Sequence, residues 1–226
     1  AITLGLANAG ANVVINYNAS SEAARETANE AHSLGVKAIA TKANVVAYSQ
    51  VKHMVREATE NFGGVDILVN SASSFKKTPM PTDSPEDWRT ATDILIHGAF
   101  HCANAVAPIM LQQGVGVIVN IVDMLAWHPR PGYSAHSVGK AGLLALTRQL
   151  AVDLAPDVRV NAVAPGPVLA PDHYSASTNA RIASRTLLKH WGSPGDVSQA
   201  VLYLVEADYI TAETITVDGG ERFANY

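Results

Sequence analysis

The sequence predicts one doubly wound α/β domain, a parallel sheet with helices on both faces. Two observations lead there. Short apolar runs alternate with longer helical patterns from one end of the chain to the other, the pattern of parallel strands joined by right-handed helical crossovers. Two of the runs, VDILVN at 65–70 and GVIVNIV at 116–122, are apolar without a break, as expected of strands buried on both faces. The 226 residues contain no internal repeat and no low-complexity linker, and 48% of them are hydrophobic. That is enough for one sizeable core, spanning residues 1–226 as a single domain.

The elements follow in order. The chain opens inside a helical pattern, AITLGLANAGA, with Ile2, Leu4, Leu6 and Ala7 apolar and no capping residue ahead of them. NVVINY (12–17) reads as a strand, 20–34 as a helix, VKAIAT (36–41) as a strand and 47–62 as a helix. After the strand 65–70 comes a helix-rich region at 85–113, then the strand 116–122. A long apolar helix opens at GYSAHSVGK (132–140), and DVRVNAVAP (157–165) is the next strand. A helix near 194–206 and a last strand in TITVDGG complete the pattern. In such sheets ligands bind beyond the carboxyl ends of the strands. Residues 70–73, 120–123 and 165–168 therefore have a location before they have a function.

Composition narrows the classes. With 16 basic and 20 acidic residues the net charge is −4 and no basic stripe exists, which argues against a nucleic-acid or anionic-membrane surface. No apolar run approaches the roughly 20 residues of a membrane span, and no signal peptide is visible. The single Cys102 excludes an intrachain disulfide, reads as a buried small hydrophobe, and fits a reducing, cytoplasmic setting. His97, His101, His128, His173 and His190 lack metal-ligand spacing, so no metal site is expected.

Five segments, DILVNSAS, VNIVD, the helix bearing Lys140, RVNAVAPGPV and the terminal VDGG, occur in the order and spacing of one family. The chain thereby resembles the short-chain dehydrogenases/reductases, which are Rossmann-type domains. Within them NSASSFKKTP, an Asp where the catalytic serine usually stands and APGPVLAP are similar to the pteridine-reductase-like branch. The resemblance implies NADPH-dependent reduction of a pterin-like heterocycle or a small carbonyl. Two alternatives stand beside it: a non-catalytic dinucleotide-binding homologue, and a ketone or 3-oxoacyl reductase. It also implies a strand and glycine-rich turn immediately ahead of Ala1, so a longer natural polypeptide is expected. Without that central strand the sheet would split.

The resemblance assigns the site residues. Lys140 holds the nicotinamide ribose and is catalytic. His136, four residues earlier, occupies the place of the family's tyrosine. Histidine can donate a proton, but an adjacent Lys⁺ disfavours the imidazolium unless Asp123 lies close enough to offset it. His136 is either that donor or a lining residue of the cofactor pocket. Asp123 ends a buried strand, where a carboxylate without a purpose would be costly; it delivers the proton or caps the following loop. Tyr133 is a reserve donor. Leu95 stands where an asparagine usually anchors a water relay.

For the cofactor, the resemblance places Asn70, Ser71, Ala72 and Ser73 against the adenosine half, with Asn44 and Val45 at the adenine. Pro165, Gly166 and Val168 lie at the nicotinamide. At the end of the strand 12–17, the second in the family's count, Asn18 is neutral, and Ser20 sits at a helix N-terminus that favours anions. NADP(H) is therefore expected over NAD(H), which an Asp or Glu there would select. Residues 168–190 resemble the substrate lid, and Trp127, His128 and Arg130 are placed at the substrate site. The helices at 85–113 and 133–154 resemble the family's dimer-forming pair, implying a homotetramer.

Overall fold

The computed structural model describes residues 1–224. Helix α1 (Ile2–Asn8) leads into β1 (Val13–Tyr17), α2 (Ser21–Ser33), β2 (Ala38–Lys42), α3 (Tyr48–Phe62) and β3 (Ile67–Asn70). Then follow α4 (Pro85–Thr92), a wider π-type turn (Asp93–Gly98), α5 (Ala99–Gln113) and β4 (Gly116–Ile121). Helix α6 (Ser134–Leu154), β5 (Val158–Pro165), α7 (Ala176–Ala183), α8 (Pro194–Glu206) and β6 (Thr214–Val217) complete the order. The predicted α/β alternation and the all-parallel pairing are both present.

The strands form two sheets. One holds β1 and β2; the other runs β3-β4-β5-β6, and β1 is not hydrogen-bonded to β3. Side chains of β4 alternate between two cores. Ile118 faces Cys102, Val106 and Met110 of α5 together with Val51 and Val55 of α3. Val117 and Val119 face Val197, Val201 and Leu204 of α8. Each fully buried Val or Leu contributes about 1.5–3 kcal/mol relative to exposure, so both layers hold the sheet. A separate cluster, Ala7, Val13, Ala28, Ala31 and Ala38, ties α1 and α2 to the small sheet.

Local chemistry sets several boundaries. Helix α8 begins with Pro194 behind a reciprocal Ser193–Asp196 cap, the arrangement that satisfies orphan N–H groups. Helix α5 stops at Gly114, whose φ of 71° suits glycine. The strands expected to start at 36 and 65 start at Ala38 and Ile67, where parallel partners become available. The lid segment holds α7, which no periodicity announced because none of its residues is buried. The helical run Pro85–Gln113 is long and apolar enough to cross a membrane by length and composition, contrary to the impression from its short apolar runs. Its inward face, Cys102, Ala103, Val106 and Met110, is buried in the protein core. There burial pushes the Cys102 thiol up to about 11, as befits a packing residue.

Candidate active site

Three elements converge beyond the carboxyl ends of β3, β4 and β5. Strand β4 delivers Asp123 just past Ile121, and α6 brings His136 and Lys140 on one face, a turn apart. The loop after β3 folds across both. It is anchored by Thr78, whose hydroxyl accepts from Ala135 N at 2.9 Å and whose carbonyl accepts from Ser134 Oγ at 2.5 Å.

Asp123 fills two roles at once. Its Oδ1 accepts from Leu125 N at 2.7 Å and caps the short turn Met124–Ala126. Its Oδ2 lies 3.3 Å from His136 Nε2. The imidazole is almost fully buried, and its Nδ1 is 2.9 Å from the Ser74 carbonyl oxygen. A carbonyl only accepts, so Nδ1 carries a hydrogen. Nε2 then faces a carboxylate oxygen, and a favourable contact requires one proton between them, on the ring or on the acid.

Lys140 is 3% exposed and its Nζ donates to the Ile121 carbonyl at 2.6 Å. Burial lowers its pKa to about 8, and the nearby Asp123 charge opposes that shift. One ammonium hydrogen is committed to Ile121; the others are available to a neighbouring hydroxyl. Leu95, in the π-type turn, packs on Gly139 of α6: a Cβ there would come 2.5 Å from Leu95 Cδ1. The position of the expected water anchor is therefore dry.

The remaining predicted residues fall around this centre. Tyr133 immediately precedes α6 and stacks on Phe75 with ring centroids 4.7 Å apart. Phe75 also meets His136 edge-on at 4.8 Å. Asn70 turns its amide inward, donating to Asn120 Oδ1 at 2.9 Å, while Asn120 donates to Thr147. Its contribution to a ligand is thereby limited to its backbone, whereas Ser71, Ala72 and Ser73 are exposed beyond it. Gly166 donates to Val217 O and lies so near Asp218 that a Cβ would fall 2.7 Å from its Cα. Pro165 and Val168 flank that turn, and Val168 packs near Gly192. Asn44 Oδ1 accepts from Val46 N ahead of α3, and Val45 is buried against Gly98. Ser20 and its neighbours line an open depression of about 440 Å³ at the start of α2, with Asn18 exposed beside it. Among the described residues no group of His, Cys, Asp and Glu could hold a metal.

Ser74, Phe75 and Thr78 escaped the sequence reading although they fix the imidazole. They act through a loop some 60 positions from α6, and no spacing rule links the two segments.

A nicotinamide dinucleotide is compatible with this donor set: ammonium hydrogens of Lys140 beyond the one given to Ile121, exposed polar residues after β3 and the serine-bearing N-terminus of α2, whose depression also holds Glu22 and Glu26. The comparisons agree. Residues 1–221 match the enoyl-(acyl carrier protein) reductase family. The 3-oxoacyl-(acyl-carrier-protein) reductase FabG of Staphylococcus epidermidis is 34% identical over 97% of this chain and 92% of its own length. A 7α-hydroxysteroid dehydrogenase, solved with NADH and 7-oxo glycochenodeoxycholic acid, has a TM-score of 0.91 at 29% identity, covering 97% of this chain and 88% of that one. A gluconate 5-dehydrogenase from Burkholderia cenocepacia, solved with NADP and tartrate, has a TM-score of 0.89 at 29% identity over 98% and 90%. The chain belongs to the short-chain dehydrogenase/reductase family of oxidoreductases.

Proposed function

We propose that this chain is an NADP(H)-dependent reductase of ketones, with 3-oxoacyl compounds as the substrate class. The observation carrying it is the His136–Asp123 contact beside Lys140, a proton carrier at the rim of a parallel sheet. The ketone class is supported by the 3-oxoacyl reductase relatives, and NADP by the neutral Asn18 and Ser20 end of β1 together with the NADP-bound gluconate 5-dehydrogenase. These relatives favour the ketone over the pterin-like heterocycle. The latter stays as a second reading because Asp123 stands where the family usually has serine.

Bound nicotinamide supplies the hydride. Lys140 holds the ribose hydroxyls, Ser71, Ala72 and Ser73 with Asn44 and Val45 take the adenosine half, and Asn18 and Ser20 take the added phosphate. Pro165, Gly166 and Val168 form the wall at the ring. His136 gives its Nε2-side proton to the developing alkoxide, and Asp123 balances the charge on the imidazole as the proton leaves or returns. Phe75 and Tyr133 shield that transfer from water. The assembly proposed is a homotetramer in the cytoplasm, on the likeness of α4–α5 and α6 to the family's pairing helices.

NADPH oxidation with acetoacetyl thioesters, small ketones and a dihydropterin tests the reading. His136→Ala is expected to lower kcat by about 10²–10⁴-fold while NADPH still quenches tryptophan fluorescence. Tight NADPH binding with no turnover on any of these substrates would instead mark a non-catalytic dinucleotide-binding protein.

A further inference from the structure

Helix α6, which carries His136 and Lys140, does not cap itself. Tyr133 holds its N-cap position, yet the Tyr133 side chain makes no capping hydrogen bond and stacks instead on Phe75. The first backbone N–H groups of a helix have no partner within it and need one from elsewhere. Here the partner is Thr78, 57 positions earlier, whose hydroxyl accepts from Ala135 N at 2.9 Å. Further bonds surround that one. Thr78 N donates to the Gly132 carbonyl at 2.8 Å, Ser134 Oγ donates to the Thr78 carbonyl at 2.5 Å, and the two hydroxyls lie 3.2 Å apart. Thr78 is 3% exposed, so water does not compete for these bonds.

The same loop reaches the imidazole. A turn of chain before Thr78, the Ser74 carbonyl accepts from Nδ1 of His136, in the first turn of α6, at 2.9 Å. A side chain of the first turn thus pairs with the segment that caps the helix, as in a capping box, but here that segment lies far away in the sequence. The loop has another tie, Lys76 Nζ to Asp87 Oδ1 at 2.6 Å, between an exposed lysine and a partly exposed aspartate. Ion pairs of that kind contribute little. Phe75 adds ring contacts to Tyr133 and His136 but is 56% exposed, and stacked rings slide where a hydrogen bond does not. The place of the Ser74 carbonyl therefore depends on Thr78.

We propose that Thr78 is a positioning residue for proton transfer. By capping α6 from the loop after β3, it holds the Ser74 carbonyl on Nδ1 and so sets which hydrogen of the His136–Asp123 dyad can be given away. With Nδ1 bearing one hydrogen, any hydrogen on the Nε2 side is the second one of the ring or the one on the acid. Its transfer to an alkoxide forms the product O–H bond and leaves a neutral ring beside a carboxylate, whichever of the two held it. A neutral ring freed from Ser74 places its one hydrogen on Nε2, where Asp123 accepts it. That hydrogen could leave only by making an imidazolate, so the contact is favourable but nothing is there to transfer. The kinetic consequence rests on the reading of His136 as the proton donor; the tautomer does not.

Ring ¹⁵N NMR of the histidine-labelled protein tests this without any substrate, the His136 signals being assigned by their absence in His136→Ala. In the wild type the neutral ring is expected to carry its hydrogen on Nδ1. In Thr78→Val it should move to Nε2, with kcat lowered by about 10²-fold and the KM for NADPH unchanged. Thr78→Ser keeps the hydroxyl and should restore both the tautomer and kcat. Retention of the hydrogen on Nδ1 in Thr78→Val overturns the proposal, and so does a moved hydrogen with wild-type kcat. If Thr78→Val does not fold, Ser134→Ala, which removes only the donor to the Thr78 carbonyl, takes its place with the same readings and a kcat lowered by about ten-fold. If the wild type reduces no substrate, the donor reading of His136 fails, and the tautomer alone decides whether Thr78 sets the ring.

Discussion

At His136 an imidazole is locked by two oxygens, and at Asp123 a carboxylate serves a backbone N–H and that ring together. Asp123→Asn separates these roles. The amide oxygen still caps Leu125, but its NH₂ now faces Nε2 and the shared proton is gone. The expected result is a kcat loss of about 10²-fold, with the unfolding free energy from urea melts changed by less than about 1 kcal/mol; an active variant would remove the dyad from the chemistry. Lys140 gives a pH signature. Its pKa is about 8 when folded against the ordinary 10.5 of a free lysine, so between these the unfolded chain binds more protons and stability rises with pH. Below pH 8 the full penalty of burying the charge is present. The stability of the wild type relative to Lys140→Met should rise by about 3 kcal/mol from pH 7 to 10.5, read by urea melts; a flat difference would contradict the burial effect. The triad was legible because it lies at a strand end and at helical spacing. Ser74 and Thr78 were not, since only the folded loop after β3 brings them to α6.

The same contrast holds for elements. β3 and β4 were readable as continuous apolar runs, and β4 is buried along nearly its whole length because both faces are covered. The helix-rich stretch at 85–113 hid its π-type turn, which no apolar spacing marks and which sets Leu95 against Gly139 of α6. Asn70 looked like a pocket residue because it ends β3, yet its in-register pairing with Asn120 turns its amide inward. The chain of donors continues from Asn120 to Thr147 and on to the Leu143 carbonyl, linking β3, β4 and α6 through groups that are all buried. Thr147→Val keeps the shape and removes the acceptor for the Asn120 amide. Leaving that donor unpaired should cost about 1–3 kcal/mol and lower the urea midpoint. If stability is unchanged, the network does not hold α6 to the sheet, and the positions of His136 and Lys140 must be secured by packing alone.

Across the whole molecule, the two sheets have unequal support. The four-stranded sheet is sandwiched between α3, α5 and α6 on one face and α8 on the other. β1 and β2 pair only with each other, and their cluster with α1 and α2 is built mainly of alanines. Alanine buries little area, and a two-stranded sheet is marginal without further packing. Contacts of α1 with α8, including Ser198 Oγ to the Ala1 carbonyl at 3.5 Å, and of Val14 with the larger core are what join the halves. Native-state hydrogen exchange should therefore show Val13–Tyr17 and Ala38–Lys42 opening as one unit, at a free energy at least about 2 kcal/mol below that of Gly116–Ile121 and Val158–Pro165. Ser20 and Asn44 sit at the ends of those weaker strands, whereas Asp123, His136 and Lys140 stand on the stronger ones. NADPH bound as proposed spans both, so saturating it should raise protection most in β1 and β2. Equal protection of the two sheets without cofactor would show that the helices alone weld them, and that the ends of β1 and β2 move as one body with Asp123, His136 and Lys140.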